Sequence, residues 1–319
     1  MVFEIPKERI SFSTYLFDIK QIQPEMMLYF NNIEIVIFDE KDVKKTREEL
    51  LYAIKSIIVK VKPLKVSFHY SMNNCEYWKN NAEHMCLIKI CDVLSELNVN
   101  RLVLHSNFII PVSDIDITKF QEVRQKIIDS LLFIKKLYPQ IDICLENMSV
   151  LGGMLNDADP LFLAADDFDL LKNTNLSITF DFCHFWINEF LMENDILRHI
   201  KDINYKYYEY LQNKDFSLKS FNNIAKHINH IHISSFQYKN NRIIEGKVLS
   251  EGIVPRTKFE SDILFVKKNN QNNLIYNFEI SEENYHERKA IYRMADDFEK
   301  VEKEITECGV MSDENKQWI

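Results

Sequence analysis

The sequence predicts an α/β protein built as one (β/α)8 barrel, and three observations support this prediction. The chain has 319 residues, which is enough for one large barrel. Eight short runs rich in Val, Ile, Leu and Phe recur along it, and helical patterns lie between them. Only five glycines and seven prolines occur, so the sequence offers no flexible linker between domains.

The eight apolar runs are candidate strands. They occur near residues 9 (RISFSTYLF), 33 (IEIVIF), 64 (LKVSFHY), 101 (RLVLHS), 141 (IDICLEN), 176 (LSITFDF), 228 (INHIHIS) and 274 (LIYNFEI). Continuously apolar runs separated by helices are typical of parallel strands that are buried on both faces.

The segments between the runs have apolar residues at helical spacing. Residues 46–60 open with Thr46 and place glutamates in the first turn, as helix starts commonly do. The other predicted helices are 78–98, 118–138, 186–212, 256–268 and 286–307. An open doubly wound sheet is the alternative fold, but no glycine-rich phosphate loop follows the first strand. We therefore predict one barrel domain over residues 1–310 and a polar tail over 311–319.

Composition and charge limit the function classes. A hydrophobic content of 46% is enough to bury a large core. The net charge of −9 argues against a nucleic-acid partner, because such binding requires a basic surface. No apolar run approaches the roughly 20 residues that span a bilayer, and MVFEIPKERI has no signal-peptide pattern. The six cysteines form no CxxC pair, so we expect a cytoplasmic protein with reduced thiols and no membrane partner.

Histidines and carboxylates follow the apolar residues of the third to eighth runs. They are His69 (VSFHY), His105 (LVLHS), Glu146 (CLEN), Asp181 and His184 (TFDFCHFW), His232 (HIHIS) and Glu279 (NFEI). The carboxyl ends of parallel barrel strands meet at one mouth, where such barrels carry out their chemistry. Imidazole and carboxylate ligands without thiolates suit Zn²⁺, Mn²⁺, Fe²⁺ or Co²⁺. Any one of these residues alone would be an ordinary surface residue, but the whole series predicts a divalent-metal centre.

These motifs, in this order over about residues 30 to 300, resemble the xylose-isomerase-like TIM barrel superfamily. That group includes sugar isomerases and epimerases and the endonuclease IV type of abasic-site nuclease. The resemblance implies a common metal site formed by four ligands, Glu146, Asp181, His232 and Glu279. It implies that His184 contacts substrate, as in the isomerases. It also implies that His69 and His105 can bind a second ion bridged by the first glutamate, as in the endonucleases.

The sequence departs from the endonuclease pattern in three places. Those enzymes complete a third metal site with an Asp-x-His pair, where this chain has Glu245-Gly246-Lys247. ENMSVLGG is only loosely similar to the motif after the fifth strand, and HISSF replaces a histidine–asparagine–aspartate sequence. Because a lysine ammonium is no metal ligand, we expect one or two ions. Together with the acidic charge, the departures point away from DNA.

The expected function is that of a metal-dependent isomerase or epimerase acting on a small sugar or sugar phosphate. Glu146 and Glu279 would transfer protons on the two faces of the substrate, and His184 would orient a substrate oxygen. Both glutamates could instead serve only as metal ligands. Trp186 and Lys247 are candidates for substrate contacts, although packing and solvation are the simpler explanations for them.

Two other functions use the same residues. A dinuclear hydrolase or phosphodiesterase of the endonuclease IV type would need His69 and His105 as ligands of a second metal. A metal-dependent enzyme that tailors a small molecule or peptide is the third possibility. The sequence leaves open the substrate, the metal and its number, the choice between isomerisation and hydrolysis, and the oligomeric state.

Overall fold

A computed structural model describes residues 7–72, 75–79, 81–270 and 273–300. Eight parallel strands close into a barrel in sequence order, and the last strand pairs with the first. The predicted (β/α)8 barrel is confirmed, and the open doubly wound sheet is excluded. The predicted tail at 311–319 and the domain boundary at residue 310 lie outside the described residues.

The barrel strands coincide with the eight predicted runs. They are β1 (Ile10–Tyr15), β2 (Asn32–Ile37), β3 (Lys65–Tyr70), β4 (Arg101–Leu104), β5 (Asp142–Glu146), β6 (Ser177–Asp181), β7 (Ile228–Ile233) and β8 (Ile275–Phe278). Most of their residues are buried, as expected for parallel strands that helices cover on the outside.

The α-helices run along the outside of the barrel. They are α1 (Glu40–Val43), α2 (Arg47–Val61), α3 (Ala82–Glu96), α4 (Phe120–Leu137), α5 (Phe182–Glu193), α6 (Arg198–Ile203), α7 (Tyr205–Gln212) and α8 (Arg256–Asn269), and residues 289–300 are also helical. Short 3-10 helices occupy Lys7–Arg9, Ile19–Gln21, Pro24–Leu28, Tyr77–Lys79, Val112–Asp114, Ile117–Lys119, Ala165–Leu171 and Leu218–His227. Two small antiparallel pairs join Ile110–Pro111 to Asp157–Ala158 and Ser235–Lys239 to Arg242–Lys247.

Helix α2 begins where the sequence predicts because Thr46 and Glu49 form a capping box. The Thr46 hydroxyl accepts the Glu49 N–H at 3.2 Å, and the Glu49 carboxylate accepts the Thr46 N–H at 2.8 Å. Leu50, Ile54 and Ile57 recur at helical spacing and are buried against the barrel.

The single helix predicted over 186–212 is wrong in its extent, because the chain forms three helices there. Helix α5 starts earlier, since the Asp181 carboxylate accepts the His184 N–H at 2.8 Å and caps it. It ends at Glu193 with Asn194 as its C-cap, and Asp195 then takes a left-handed conformation with φ of 53°. Asn204 caps α7 by accepting the Tyr207 N–H at 3.0 Å. Polar side chains that bond the local backbone therefore divide the segment.

Strand register determines which polar side chains meet inside the barrel. Asp181 on β6 is paired with His232 on β7, and His232 is also paired with Asn277 on β8. Glu34 on β2 is paired with Ser67 on β3. These pairings concentrate polar groups in the upper layers of an otherwise apolar interior.

The five cysteines in the described part of the chain are free thiols. Among the same residues, no helix is both long enough and apolar enough to cross a membrane.

Candidate active site

Four side chains at the barrel mouth place ligand atoms within 4.8 Å of one another: Glu146, Asp181, His232 and Glu279. Nδ1 of His232 lies 3.2 Å from a carboxylate oxygen of Glu146 and 3.4 Å from one of Glu279. The same nitrogen lies 3.8 Å from Oδ2 of Asp181. The structure thus brings together the four residues that the sequence predicts for a common metal site, and we refer to them as the four-residue cluster.

A second set of potential ligands adjoins the first and shares Glu146 with it. Nε2 of His69 lies 3.1 Å from Nε2 of His105, and each nitrogen lies 3.4 Å from Oε2 of Glu146. These three residues also bring ligand atoms within 4.8 Å of one another. The mouth therefore has the side chains for one cation or for two.

The donor atoms of the four-residue cluster fit a divalent cation. Both carboxylate oxygens of Glu146 and Nδ1 of His232 are buried and make no hydrogen bond. A buried polar group without a partner costs about 1–3 kcal/mol. A cation bound between these atoms would satisfy them, and the nitrogen and oxygen donors match Zn²⁺, Mn²⁺, Fe²⁺ or Co²⁺.

Opposite charges stabilise each other within this cluster. Burial opposes ionisation of Glu146 and Glu279, but His232 outweighs it, together with His105 at Glu146 and His69 at Glu279, and the pKa of both carboxyl groups is held well below the usual range. Burial likewise disfavours the charged form of His232, but Glu279 and Glu146 raise its pKa well above the usual value. Burial raises the pKa of Asp181 to about 7, with a contribution from the carboxylates of Glu146 and Glu279. Cation binding would therefore release protons from the cluster.

A buried carboxylate on β2, Glu34, lies directly beneath the cluster and was missed by the sequence analysis. Its oxygens accept hydrogen bonds from Ser67 Oγ at 2.9 Å and from Asn277 Nδ2 at 2.7 Å, and one lies 2.8 Å from His230 Nε2. Glu34 Oε1 also lies 3.1 Å from Nε2 of His232. Nε2 of His232 therefore faces Glu34, and Nδ1 faces the carboxylates of Glu146 and Glu279. The available signal was a charged residue inside the apolar run IEIVIF.

His184 lies at the edge of the cluster because Asp181 and Asn147 hold the start of α5. Asn147 Oδ1 accepts the Asp181 N–H at 2.7 Å, and Asn147 Nδ2 donates to the Asp181 carbonyl at 2.9 Å. Nδ1 of His184 lies 2.8 Å from the Asn147 carbonyl and 3.4 Å from Glu146 Oε1. Its other ring nitrogen faces outward and lies 3.8 Å from Glu245 Oε2.

Glu245 projects over the mouth from a β-hairpin at residues 235–247, which we call the mouth hairpin. Gly246 has φ of 74°, and a Cβ there would lie 2.4 Å from the Ser281 hydroxyl oxygen, so glycine is required. The Ser281 N–H donates to the Gly246 carbonyl at 2.8 Å, and the Ile243 N–H donates to the Gly153 carbonyl at 3.0 Å. These contacts fix the position of Glu245, which the sequence analysis did not identify as a site residue.

Two cavities of about 350 Å³ and 340 Å³ open at the mouth, and both are bordered by His184 and Glu245. The first reaches Asp181 and Glu279, and the second reaches His105. Each volume falls within the range of known small-molecule sites, which is about 300–1,000 Å³.

The structure does not bring Trp186 or Lys247 to these cavities. Trp186 is buried behind the mouth, where its ring packs beside Phe259 and its Nε1 donates to Asp262 at 2.8 Å. Lys247 ends the mouth hairpin but lines neither cavity. Glu245, two residues earlier, lines both cavities instead.

The fold and the mouth define a (β/α)8 barrel protein with a histidine–carboxylate centre suited to a divalent cation. The model of the xylose isomerase-like TIM barrel family matches residues 26–293. The chain therefore belongs to the xylose isomerase-like TIM barrel family.

Solved structures of other proteins share this fold. A D-tagatose 3-epimerase-like protein is 16% identical with a TM-score of 0.57, and the match covers 93% of this chain and 99% of that one. A D-psicose 3-epimerase with D-tagatose from Clostridium cellulolyticum H10 is 12% identical, with a TM-score of 0.52 and coverage of 92% and 98%. A xylose isomerase domain protein from Planctomyces limnophilus is 12% identical, with a TM-score of 0.58 and coverage of 94% and 98%. No curated protein matches this chain significantly.

Proposed function

We propose that this protein is a metal-dependent sugar epimerase or isomerase. The observation that carries the proposal is the placement of Glu146 and Glu279 around one centre. Their carboxylates lie 3.2 Å and 3.4 Å from the same nitrogen of His232. Two carboxylates that face one small volume can reach a substrate carbon from two sides.

A divalent cation held by the four-residue cluster would polarise a sugar carbonyl and so acidify the neighbouring C–H. One of the two glutamates would then remove that proton. The other would deliver a proton to the opposite face of the same carbon or to the adjacent carbon. His184 would donate a hydrogen bond to a substrate oxygen, since burial opposes its charge but Asp181 and Glu245 raise its pKa well above the usual value.

The solved relatives support a sugar as the substrate class. Their names include a D-tagatose 3-epimerase-like protein and a D-psicose 3-epimerase with D-tagatose. Each of the two cavities beside the four-residue cluster is large enough for a monosaccharide of this kind.

Proton exchange in D2O tests the proposal directly. The Mn²⁺-loaded protein is incubated with a panel of ketoses, and NMR follows deuterium entering the carbon beside the carbonyl. We expect exchange with at least one sugar, and Glu146→Gln and Glu279→Gln should each lower its rate by about 10²–10⁴-fold. Glu122→Gln, an exposed site on α4, is the matched control and should retain the wild-type rate.

Exchange with no ketose in the panel would contradict the proposal, and so would exchange that survives both glutamine variants. Retention of exchange in Glu279→Gln alone would leave Glu279 as a ligand and move the second proton transfer to another group.

A dinuclear hydrolase is the second candidate, and the set formed by His69, His105 and Glu146 favours it. Elemental analysis of wild type and of the double variant His69→Ala/His105→Ala distinguishes the two functions. Two ions per chain that fall to one in the variant would support a dinuclear site, and cleavage of a model phosphodiester would then test hydrolysis. One ion in both proteins would leave the four-residue cluster as the sole site and favour the epimerase.

A further inference from the structure

The two cavities at the mouth differ in character although they share one wall. We call the cavity of about 350 Å³ the aromatic chamber, because Tyr15, Phe38 and Tyr285 line it. We call the cavity of about 340 Å³ the polar chamber, because Ser149 and Asp157 are among its lining residues. His184 and Glu245 border both chambers, so the chambers meet beside the four-residue cluster.

The aromatic chamber presents unusually exposed apolar side chains. Phe38 is 59% exposed and Tyr285 is 41% exposed. The rings of Tyr15 and Phe38 stack at 4.8 Å with an interplanar angle of 26° and form one flat wall. Exposed apolar surface that lines a cavity is typical of a binding site for an apolar group.

The polar chamber is built for hydroxyl groups. Asp157 provides a carboxylate acceptor, Ser71 provides a hydroxyl, and His105 borders the same space. Carboxylates accept hydrogen bonds from sugar hydroxyls, and serine can both donate and accept. A polyhydroxylated unit can be bound here, whereas an apolar group would displace water from the Asp157 carboxylate without replacing its hydrogen bonds.

Glu245 is positioned to contact the substrate where the chambers join. It is an acceptor whose side chain is 41% exposed, and the donor His184 lies 3.8 Å away. The mouth hairpin is anchored through Gly246 and Ile243, so the position of Glu245 is set by the backbone. A substrate hydroxyl that lies between Glu245 and His184 would have one partner on each side.

We propose that the substrate is a two-part molecule, a glycoside whose sugar ring carries the ketone that the proposed proton transfer requires. Its polyhydroxylated unit occupies the polar chamber, its apolar or aromatic group lies against Phe38 and Tyr15, and Glu245 binds it at the junction. This inference rests on the proposed function, because it places the reacting carbon beside Glu279 and Asp181 at the junction. It differs from that function in requiring a substrate larger than one free sugar.

Binding of simple glycosides tests the inference without any turnover. Isothermal titration of the Mn²⁺-loaded protein would compare phenyl and methyl glycosides of glucose, galactose, mannose and xylose. For at least one of the four sugars, the phenyl glycoside should bind about tenfold more tightly than the methyl glycoside, because the phenyl ring buries additional apolar surface.

Two variants should distinguish the contribution of the aromatic chamber to binding from that of the polar chamber. Phe38→Ala should remove the advantage of the phenyl group and leave methyl glycoside binding within about twofold of wild type. Asp157→Asn should weaken phenyl and methyl glycosides alike, by about tenfold, because it removes an acceptor for hydroxyl groups. Phe133→Ala is the matched control, since Phe133 is 51% exposed but lies on α4 beside His84, away from the mouth.

The inference is overturned if phenyl and methyl compounds bind equally in every sugar, if none binds, or if Phe38→Ala leaves the phenyl preference intact. The D2O exchange experiment tests the proposed function independently of these binding measurements. A phenyl preference without ketose exchange would support the two chambers and contradict the epimerase. Exchange with free ketoses without a phenyl preference would contradict the two-part substrate alone.

Discussion

At the scale of single residues, the sequence identifies the members of the four-residue cluster better than the residues that support them. Glu146, Asp181, His232 and Glu279 could be predicted because each lies at or near the carboxyl end of a strand, and these strand ends converge in a parallel barrel. Glu34 could not, because it lies inside β2 and its partners come from strands far along the chain. Its contact with His232 depends on the closed barrel, which no local pattern encodes.

Glu34→Gln should weaken metal binding by about 10–100-fold. The amide keeps the shape of the side chain but removes the charge that faces Nε2 of His232, so that ring is less well oriented and less basic. Chelator competition with Mn²⁺ or Zn²⁺ measures the change in dissociation constant. Ser67→Ala is the control, because it removes one donor to Glu34 and leaves the charge in place. Equal affinities in wild type and Glu34→Gln would refute a positioning role for Glu34.

At the scale of secondary-structure elements, strands were predictable and helix ends were only partly so. Apolar runs mark all eight strands because parallel strands are buried on both faces. The break after α5 depends on Asn194, Asp195 and Asn204, whose side chains and backbone conformations compete locally with the helix. The amphipathic pattern continues across the break and conceals it.

The amino-terminal end of the barrel depends on a half-buried carboxylate at the start of β5. Asp142 accepts hydrogen bonds from Arg101 at 3.1 Å and from Ser177 Oγ at 2.6 Å. Burial opposes the charge on Asp142, but Arg101 and the Ser177 hydroxyl outweigh it and lower its pKa from the usual 3.8. The carboxylate therefore stabilises the folded state fully above about pH 4. This stabilisation is lost as the pH falls through the lowered pKa of Asp142 in the folded state.

Asp142→Asn should accordingly lower the free energy of unfolding at neutral pH. It should also make the free energy of unfolding less dependent on pH in the acidic range. Urea unfolding between pH 3 and pH 6 measures the free energy of unfolding at each pH for wild type and variant. The two curves should converge toward pH 3, because the wild-type carboxylate is then losing its charge. Asp129→Asn, at an exposed site on α4, should follow the wild-type curve. Parallel curves for wild type and Asp142→Asn would contradict this account.

At the scale of the whole molecule, the barrel could be predicted and the shape of its mouth could not. The chain length, the eight apolar runs and the low number of glycines were sufficient to predict the fold. The mouth hairpin was not predicted as a hairpin, and its loop position suggested Lys247 rather than Glu245 as the contact residue. Its placement depends on Gly153 and Ser281, which belong to two other loops.

Metal should stabilise the whole barrel, because the four residues proposed to bind it come from the ends of four strands that separate on unfolding. At a free metal concentration of 100 times the dissociation constant, the free energy of unfolding should rise by about 2.7 kcal/mol. Urea unfolding with added Mn²⁺ and with a chelator measures this difference. His232→Ala should abolish the gain, while Glu122→Gln should keep it. Identical unfolding curves with metal and with chelator would argue against a metal centre.

Closure of the barrel has a consequence for synthesis of the chain on the ribosome. Ile10 on β1 is paired with Tyr276 on β8, so the first strand has no partner on one side until almost the whole chain has emerged. Until then β1 and β7 are open edges that can pair with other chains and aggregate. Nascent molecules that stop before β8 should therefore depend on chaperones far more than the finished protein does.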